Sequence, residues 1–113
     1  MPVTAFASGT QTASIGTEHF LANVNQAGVY TLHVDLNALA SGDVLEVRVY
    51  QMVIAAGTAR EEQFMVYNGV QDVKIKRSEP ISNELTDAQA LRFSIKQTFG
   101  TGRSIPWKVL KHA

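Results

Sequence analysis

The residues of this chain that could do chemistry are few and widely separated. His33 and Asp35 share one strand face at two-residue spacing, and Glu18 and His19 lie upstream of them. Imidazole and carboxylate groups can bind metals, but a metal centre inside a β-structure would gather more histidines on inward-facing positions. His33 and Asp35 fall on the polar face of their segment. We therefore expect solvent-facing residues here and no bound metal.

The sequence also lacks the residue patterns that are typical of acid–base and nucleophilic catalysis. Glu61 and Glu62 are adjacent, so in a strand their side chains point to opposite faces and do not form a general acid/base pair. Asp43 and Asp87 lie in turn-rich segments, where aspartate side chains commonly accept hydrogen bonds from nearby backbone amides. No G-x-S-x-G nucleophile elbow is present. We expect no enzymatic activity and no cofactor.

The segment Gly100–Arg103 has the composition of a phosphate-binding loop. It lacks the following Lys-Ser/Thr of that motif, and the residues after it alternate as in a strand. The segment therefore predicts a glycine turn between the two strands of a terminal hairpin. Asn68-Gly69 is a second strong hairpin signal.

Period-2 alternation of apolar and polar residues runs through most of the chain and predicts half-buried β-strands. The inward-facing sets are Tyr30, Leu32 and Val34; Leu45, Val47, Val49 and Val53; Leu91, Phe93 and Ile95; and Ile105, Trp107 and Val109. Val73 and Ile75 alternate in the same way with Asp72, Lys74 and Lys76. Seven or eight strands at turn spacings of about ten residues predict an all-β, antiparallel β-sandwich, of the jelly-roll variant.

Residues 1–17 differ from the rest because they contain no charge and are rich in Ala, Ser, Thr and Gly. Apart from Val3, Phe6 and Ile15, the segment has little to bury. We interpret it as an N-terminal arm, either an edge strand of the domain or an extension that orders on a neighbouring subunit. Phe6 and Ile15 are then candidates for partner contacts. Residues 18–113 form the single β-sandwich domain.

Composition narrows the range of partners. The chain has 113 residues with ten basic and ten acidic side chains and no cysteine, which removes disulfides and thiolate chemistry. A neutral chain has little long-range attraction for nucleic acid phosphates. No apolar stretch approaches the roughly 20 residues that cross a bilayer, and the N-terminus lacks a secretion-signal pattern. We expect a soluble protein made in the cytoplasm, with no direct nucleic-acid or membrane partner.

Apolar side chains at positions predicted to face outward mark a candidate partner interface. Tyr50 and Met52 lie on the face predicted to be outward, beside Arg48, and Met65 and Tyr67 extend this patch if the next strand pairs antiparallel. Aromatic residues, Met and Arg are enriched in protein interfaces. The alternative is that a β-bulge near Gln51 changes the facing, so that Tyr50 and Met52 are core residues.

Four stretches carry a resemblance to a known class of proteins. They are Gly42–Tyr50, Leu91–Thr98, Gly100–Arg103 and Pro106–Leu110, within residues 28–110. In these stretches the chain resembles small virion proteins of tailed bacteriophages, of the capsid decoration or cement type. The resemblance implies a jelly-roll or related sandwich on the outer capsid surface. It further implies contacts with the major capsid protein and with copies of itself, as a dimer or trimer, and capsid stabilisation against internal DNA pressure.

Two alternatives remain open at this point. A carbohydrate-binding β-sandwich module would use exposed aromatic side chains to stack on sugar rings, and Trp107 and Tyr50 are the candidates. Trp107 alternates on the apolar face with Ile105 and Val109, which favours a core position. A tail, neck or baseplate component of the same virion has the same sequence features as a head protein.

Overall fold

The computed structural model describes residues 3–112, and this part of the chain contains nine β-strands and no helix. The all-β prediction is therefore confirmed. In chain order the strands are β1 (Val3–Thr12), β2 (Glu18–Val24), β3 (Gly28–Asp35), β4 (Val44–Gln51), β5 (Arg60–Asn68), β6 (Ile75–Arg77), β7 (Ile81–Asn83), β8 (Leu91–Phe99) and β9 (Ser104–His112).

The strands form two antiparallel sheets that pack face to face. The first has the order β1-β9-β3-β6, with the short β7 also paired to β3, and the second has the order β2-β8-β4-β5. Every pairing is antiparallel. The predicted antiparallel β-sandwich is confirmed.

The core lies between the sheets and follows the predicted alternation. Tyr30, Leu32 and Val34 of β3 are buried, and so are the inward residues of β4 and β8. Leu36 and Leu39 close one end of the sandwich. Full burial of a side chain of this size contributes about 1.5–3 kcal/mol to folding, so the alternating residues supply most of the driving force.

Both predicted hairpins are wrong, because strands that follow one another in sequence mostly belong to different sheets. β8 pairs with β2 and β4, whereas β9 pairs with β1 and β3, so Gly100–Arg103 connects the two sheets. Asn68-Gly69 likewise ends β5 and leads to β6 in the other sheet. Gly69 has a positive φ of 67°, and its N–H donates to the carbonyl of Asp43, 2.7 Å away. The glycines make tight turns as expected, but a tight turn does not determine which strands pair.

The N-terminal segment is an edge strand in this structure. β1 pairs with β9 from Val3 to Thr12, with one irregularity between Ala5 and Ala7. The Phe6 ring packs edge-to-face on Tyr30, with centroids 5.5 Å apart. Of the two interpretations of residues 1–17, the edge strand is the one that the described residues adopt. Ordering on a neighbouring subunit stays a prediction.

Two further residues that were predicted to point into the core are exposed. Val53 lies beyond the end of β4 in the loop to β5 and is 85% exposed, so it does not continue the inward set of β4. In β6, Ile75 is exposed, and the neighbouring Lys76 turns inward so that its Nζ lies 5.7 Å from the Tyr67 ring centroid. A long lysine can cover the open side of the sandwich because its stem packs on apolar surface while its ammonium group stays near water.

Candidate functional site

The outer face of the four-stranded sheet carries an unusual concentration of aromatic and arginine side chains. The register places Phe20, Ser94, Arg48 and Phe64 in one row across all four strands. Arg92 and Tyr50 belong to a neighbouring row. We call this surface the aromatic–arginine face and define it by Phe20, Arg48, Tyr50, Phe64, Val66 and Arg92.

Each exposed phenylalanine of the aromatic–arginine face has an arginine stacked on it. The Arg92 guanidinium carbon lies 3.7 Å from the Phe20 ring centroid, and that of Arg48 lies 4.7 Å from the Phe64 centroid. Phe20 is 40% exposed and Phe64 is 47% exposed. Cation–π contacts at exposed sites contribute about 0.5–1 kcal/mol. The stacking holds these long side chains flat, so the face is already ordered before any partner binds.

A carboxylate at one side of this surface fixes the central tyrosine. Glu18 Oε2 accepts hydrogen bonds from the Tyr50 hydroxyl at 2.7 Å and from the Ser94 hydroxyl at 2.6 Å. Burial alone would raise the pKa of Glu18, but these two bonds and the positive charges of Arg48 and Lys96 together outweigh it, and the pKa is lowered. Burial, together with the bond to Glu18, raises the pKa of Tyr50 to about 12. At neutral pH, Glu18 is therefore ionised and Tyr50 is protonated.

The second arginine is held by acidic neighbours. Arg48 Nη2 lies 2.8 Å from Glu46 Oε1, and its Nε lies 3.7 Å from Glu61 Oε1. Exposed ion pairs of this kind contribute about 0–1 kcal/mol, so their main effect is to orient the guanidinium over Phe64. Ser94 beneath these side chains is completely buried although it faces outward. The side chains of this row therefore cover Ser94 completely.

The predicted interface residues separate into two groups in the structure. Arg48 and Tyr50 lie half-buried on the aromatic–arginine face. Met65 and Tyr67 lie on the opposite side of β5, partly buried against the core, and Phe6 packs against the core from β1. Ile15 is exposed in the turn between β1 and β2. The structure therefore does not bring the seven predicted residues into one patch.

Met52 is the clearest departure from the predicted exposed patch. It is only 6% exposed, and its N–H donates to the carbonyl of Ala90 at 2.9 Å. β4 ends at Gln51, so Met52 turns inward just past the strand. The register shift between Val49 and Tyr50 comes from an extra residue in β5, Glu62, and the pairing of β4 with β8 stays regular there, so the bulge that the alternative interpretation placed near Gln51 is not found in β4. The prediction that Met52 faces outward is wrong. Whether Arg48 and Tyr50 contact a partner stays a prediction.

Sequence reasoning missed four members of the aromatic–arginine face, which are Phe20, Phe64, Val66 and Arg92. The facing of residues 19–24 is ambiguous in sequence because β2 contains an irregularity between Phe20 and Ala22. Phe64 and Val66 were hidden because β5 is apolar on both faces. The detectable signal was the run Phe64–Tyr67, in which four successive large apolar residues must place two on the outside.

The predicted metal candidates are not gathered together. Within residues 3–112 there is no group of three or more His, Asp or Glu side chains that could hold a metal ion. The His19 ring lies between the Gln11 side-chain amide and the Ser14 N–H, each 3.2 Å away, and so it secures the turn between β1 and β2. Burial, together with the charges of Lys108 and Arg77, lowers the pKa of His33.

A shallow depression of about 340 Å³ lies on the outside of the other sheet, beside His33, Ile75, Pro106 and Trp107. Trp107 itself is half-buried against the core and lies over Gly9. A Cβ atom at Gly9 would be 3.4 Å from the indole ring, at contact distance. Trp107 and Tyr50 are both half-buried, so each exposes only part of its ring.

Comparisons with protein-family models, with curated proteins and with solved structures find no match to this chain. The described residues include no helix that is long and apolar enough to span a membrane.

Proposed function

We propose that this chain is a non-enzymatic structural protein of a bacteriophage virion. It binds the outer surface of the capsid and cements neighbouring major capsid proteins. It does so together with copies of itself, as a dimer or trimer. The protein is made in the host cytoplasm and ends in the virion. The resemblance within residues 28–110 supports the virion assignment.

The aromatic–arginine face is the observation that carries the proposal. Interfaces are enriched in Phe, Tyr and Arg relative to other protein surface, and two exposed phenylalanines already stacked under arginines match that composition. Side chains that are already stacked on one another also lose less conformational entropy when they bind a partner. A surface of this kind suits a protein that clamps others by shape.

The strand order supports the finer part of the fold prediction, which is a jelly roll. The orders β1-β9-β3-β6 and β2-β8-β4-β5 place most successive strands in opposite sheets, a feature of the paired Greek keys of a jelly roll; the exceptions are β4–β5 and β6–β7. This topology suits a structural role because six of the eight connections cross between the sheets and join them.

The experiment is co-sedimentation of the purified protein with capsids assembled from the major capsid protein. Phe20→Glu introduces a charge into the aromatic–arginine face beside Arg92, and we expect it to weaken capsid binding about tenfold or more. Phe99→Glu is the matched control because Phe99 is also exposed but ends β8, outside this face. It should bind as the unmodified protein does.

Two outcomes would contradict the proposal. Absence of the unmodified protein from the capsid pellet would exclude a role on the head and favour the tail, neck or baseplate alternative. Equal binding by the Phe20→Glu and Phe99→Glu proteins, both folded by circular dichroism, would show that the aromatic–arginine face is not the capsid-binding surface.

A further inference from the structure

β5 is the free edge of the four-stranded sheet. Its inner edge pairs with β4 along the whole strand, and none of the residues from 3 to 112 pairs with its outer edge. Alternate backbone N–H and C=O groups of an edge strand point away from the sheet. The register with β4 skips Glu62, so the uninterrupted set of free main-chain hydrogen-bonding groups runs from Gln63 to Asn68.

The middle of β5 lacks the features that usually protect such an edge. Natural edge strands are short, or carry lysine, proline or inward-pointing charge. Residues 63–68 contain no charge and no proline. Phe64 and Val66 are exposed on the outer face, and Met65 and Tyr67 are half-buried on the inner face. A strand added here would gain hydrogen bonds and bury apolar surface on both sides.

The other sheet edges are less suitable for strand addition. The side chains of β1 are mainly small or polar, including Thr4, Ser8, Gly9 and Thr10, so pairing there would bury little apolar surface. At the other end of the first sheet, β6 and β7 are only three residues long. β2 begins with Glu18, which is already committed to Tyr50 and Ser94.

We propose that a second copy of this chain pairs with this edge, β5 against β5, antiparallel about a two-fold axis at Met65. In this register Phe64 lies opposite Val66 of the second copy, and Gln63 lies opposite its Tyr67. Arg60 and Glu61 extend beyond the matched region, so no like charges face each other. The two four-stranded sheets become one sheet of eight strands, and the two aromatic–arginine faces lie side by side.

The inference rests on the proposed function, which includes association between copies of the chain, and it names β5 as the surface through which two copies associate. The strand is its own complement because antiparallel pairing about a two-fold axis matches each residue with one of the same uncharged run. A partner strand of a different sequence would have to supply matching apolar residues on both faces. The second copy supplies them by symmetry.

Cysteine crosslinking tests the register directly, because the natural chain has no cysteine. Met65→Cys places two thiols opposite each other across the axis, at the Cα separation of about 4.5–5.5 Å found in antiparallel pairs. Disulfides form at Cα separations of about 4.4–6.8 Å. We expect a covalent dimer on mild oxidation. Val73→Cys, in the exposed loop between β5 and β6, is the matched control and should form no disulfide-linked dimer.

Val66→Lys tests the same pairing without covalent chemistry. Val66 is exposed, so the monomer should fold normally, while lysine on the edge replaces the contact with Phe64 of the second copy and disfavours pairing. We expect the dissociation constant of the dimer, measured by analytical ultracentrifugation, to rise about tenfold or more. Val73→Lys should leave it unchanged.

Three results would overturn the inference. One is a monomeric unmodified protein at all concentrations reached in the ultracentrifuge. Another is a Met65→Cys protein that folds but does not crosslink. The last is a dimer unaffected by Val66→Lys. Val66 belongs to the aromatic–arginine face, so capsid co-sedimentation is measured on the unmodified protein and on the oxidised Met65→Cys dimer instead, since Met65 lies on the inner side of β5. A monomeric unmodified protein that binds capsids overturns this inference alone, and a crosslinked dimer that does not bind capsids removes the proposed function alone.

Discussion

The carboxylate of Asp43 and the guanidinium of Arg103 are 60 residues apart in sequence and form a 2.7 Å ion pair. Asp43 is 1% exposed and also accepts hydrogen bonds from the N–H groups of Ala40, at 2.8 Å, and Thr101, at 3.1 Å. This one side chain joins the loop before β4 to the connection between β8 and β9. The expectation that Asp43 bonds nearby backbone amides is confirmed, and the connection to residues 101 and 103 is additional.

Asp43→Asn should destabilise the protein more than any exposed aspartate substitution. The amide keeps the shape but loses the charge that pairs with Arg103, and its NH2 group cannot accept a hydrogen bond. We expect a loss of about 2–4 kcal/mol in the free energy of unfolding, since breaking a buried, hydrogen-bonded charge leaves its partners unsatisfied. Denaturant titration measures it. Asp72→Asn, at an exposed position, is the control and should change stability by less than about 0.5 kcal/mol.

Stability should fall in acid because of two carboxylates. Burial would raise the pKa of Asp43, but bonds from Ala40, Arg103 and Thr101 outweigh it and lower the pKa. The pKa of Glu18 is also lowered. A carboxylate with a lowered folded-state pKa stabilises the protein above its unfolded-state pKa, about 4, and loses this contribution as pH falls through the folded-state value. Denaturant titrations between pH 7 and pH 2 should show this decline, and Asp43→Asn should reduce its slope. An unchanged slope would contradict the assignment.

Gly100→Ala should be strongly destabilising, and Gly16→Ala separates the two causes. Both glycines have positive φ, 93° at Gly100 and 81° at Gly16, so alanine is strained at each by about 1 kcal/mol. Around Gly16 a Cβ atom meets nothing within 4 Å, whereas at Gly100 it would clash with Asp43, whose Cα would be 2.8 Å away. We expect Gly100→Ala to cost at least about 2 kcal/mol more than Gly16→Ala in thermal or denaturant unfolding. Equal losses of stability in the Gly100→Ala and Gly16→Ala proteins would mean that the loop containing Asp43 moves aside freely.

Tyr50→Phe should raise the pKa of Glu18. The substitution removes one of the two hydroxyl groups that donate to the ionised carboxylate, so the charged form is less favoured. The carboxyl carbon chemical shift of Glu18, followed by NMR from pH 2 to pH 7, gives the pKa. The free energy of unfolding at pH 7 should fall by about 1 kcal/mol. Tyr67→Phe is the control because Tyr67 lies on the inner side of β5, away from Glu18, and it should leave the Glu18 pKa unchanged.

The sequence by itself determined the strands and their buried faces. Alternation at Tyr30–Val34, Leu45–Val49 and Leu91–Ile95 predicted which side chains form the core, because a strand has a period of two and an apolar side chain is stabilised by leaving water. The same rule failed at Met52 and Val53. Both residues lie beyond the end of β4 at Gln51, where the alternation of the strand no longer applies, and nothing in the residue types marks that end.

Only the tertiary structure decided which strands pair and therefore what surface the protein presents. Gly100 and Gly69 turn the chain tightly, but the strands that flank each turn lie in opposite sheets. Strand pairing depends on main-chain hydrogen bonds, which all residues except proline offer alike, so residue types cannot choose among distant partners. The row of Phe20, Arg48 and Phe64 is a product of that pairing. Three residues from three strands meet on one face because β8 and β4 lie between the strands that carry the two phenylalanines.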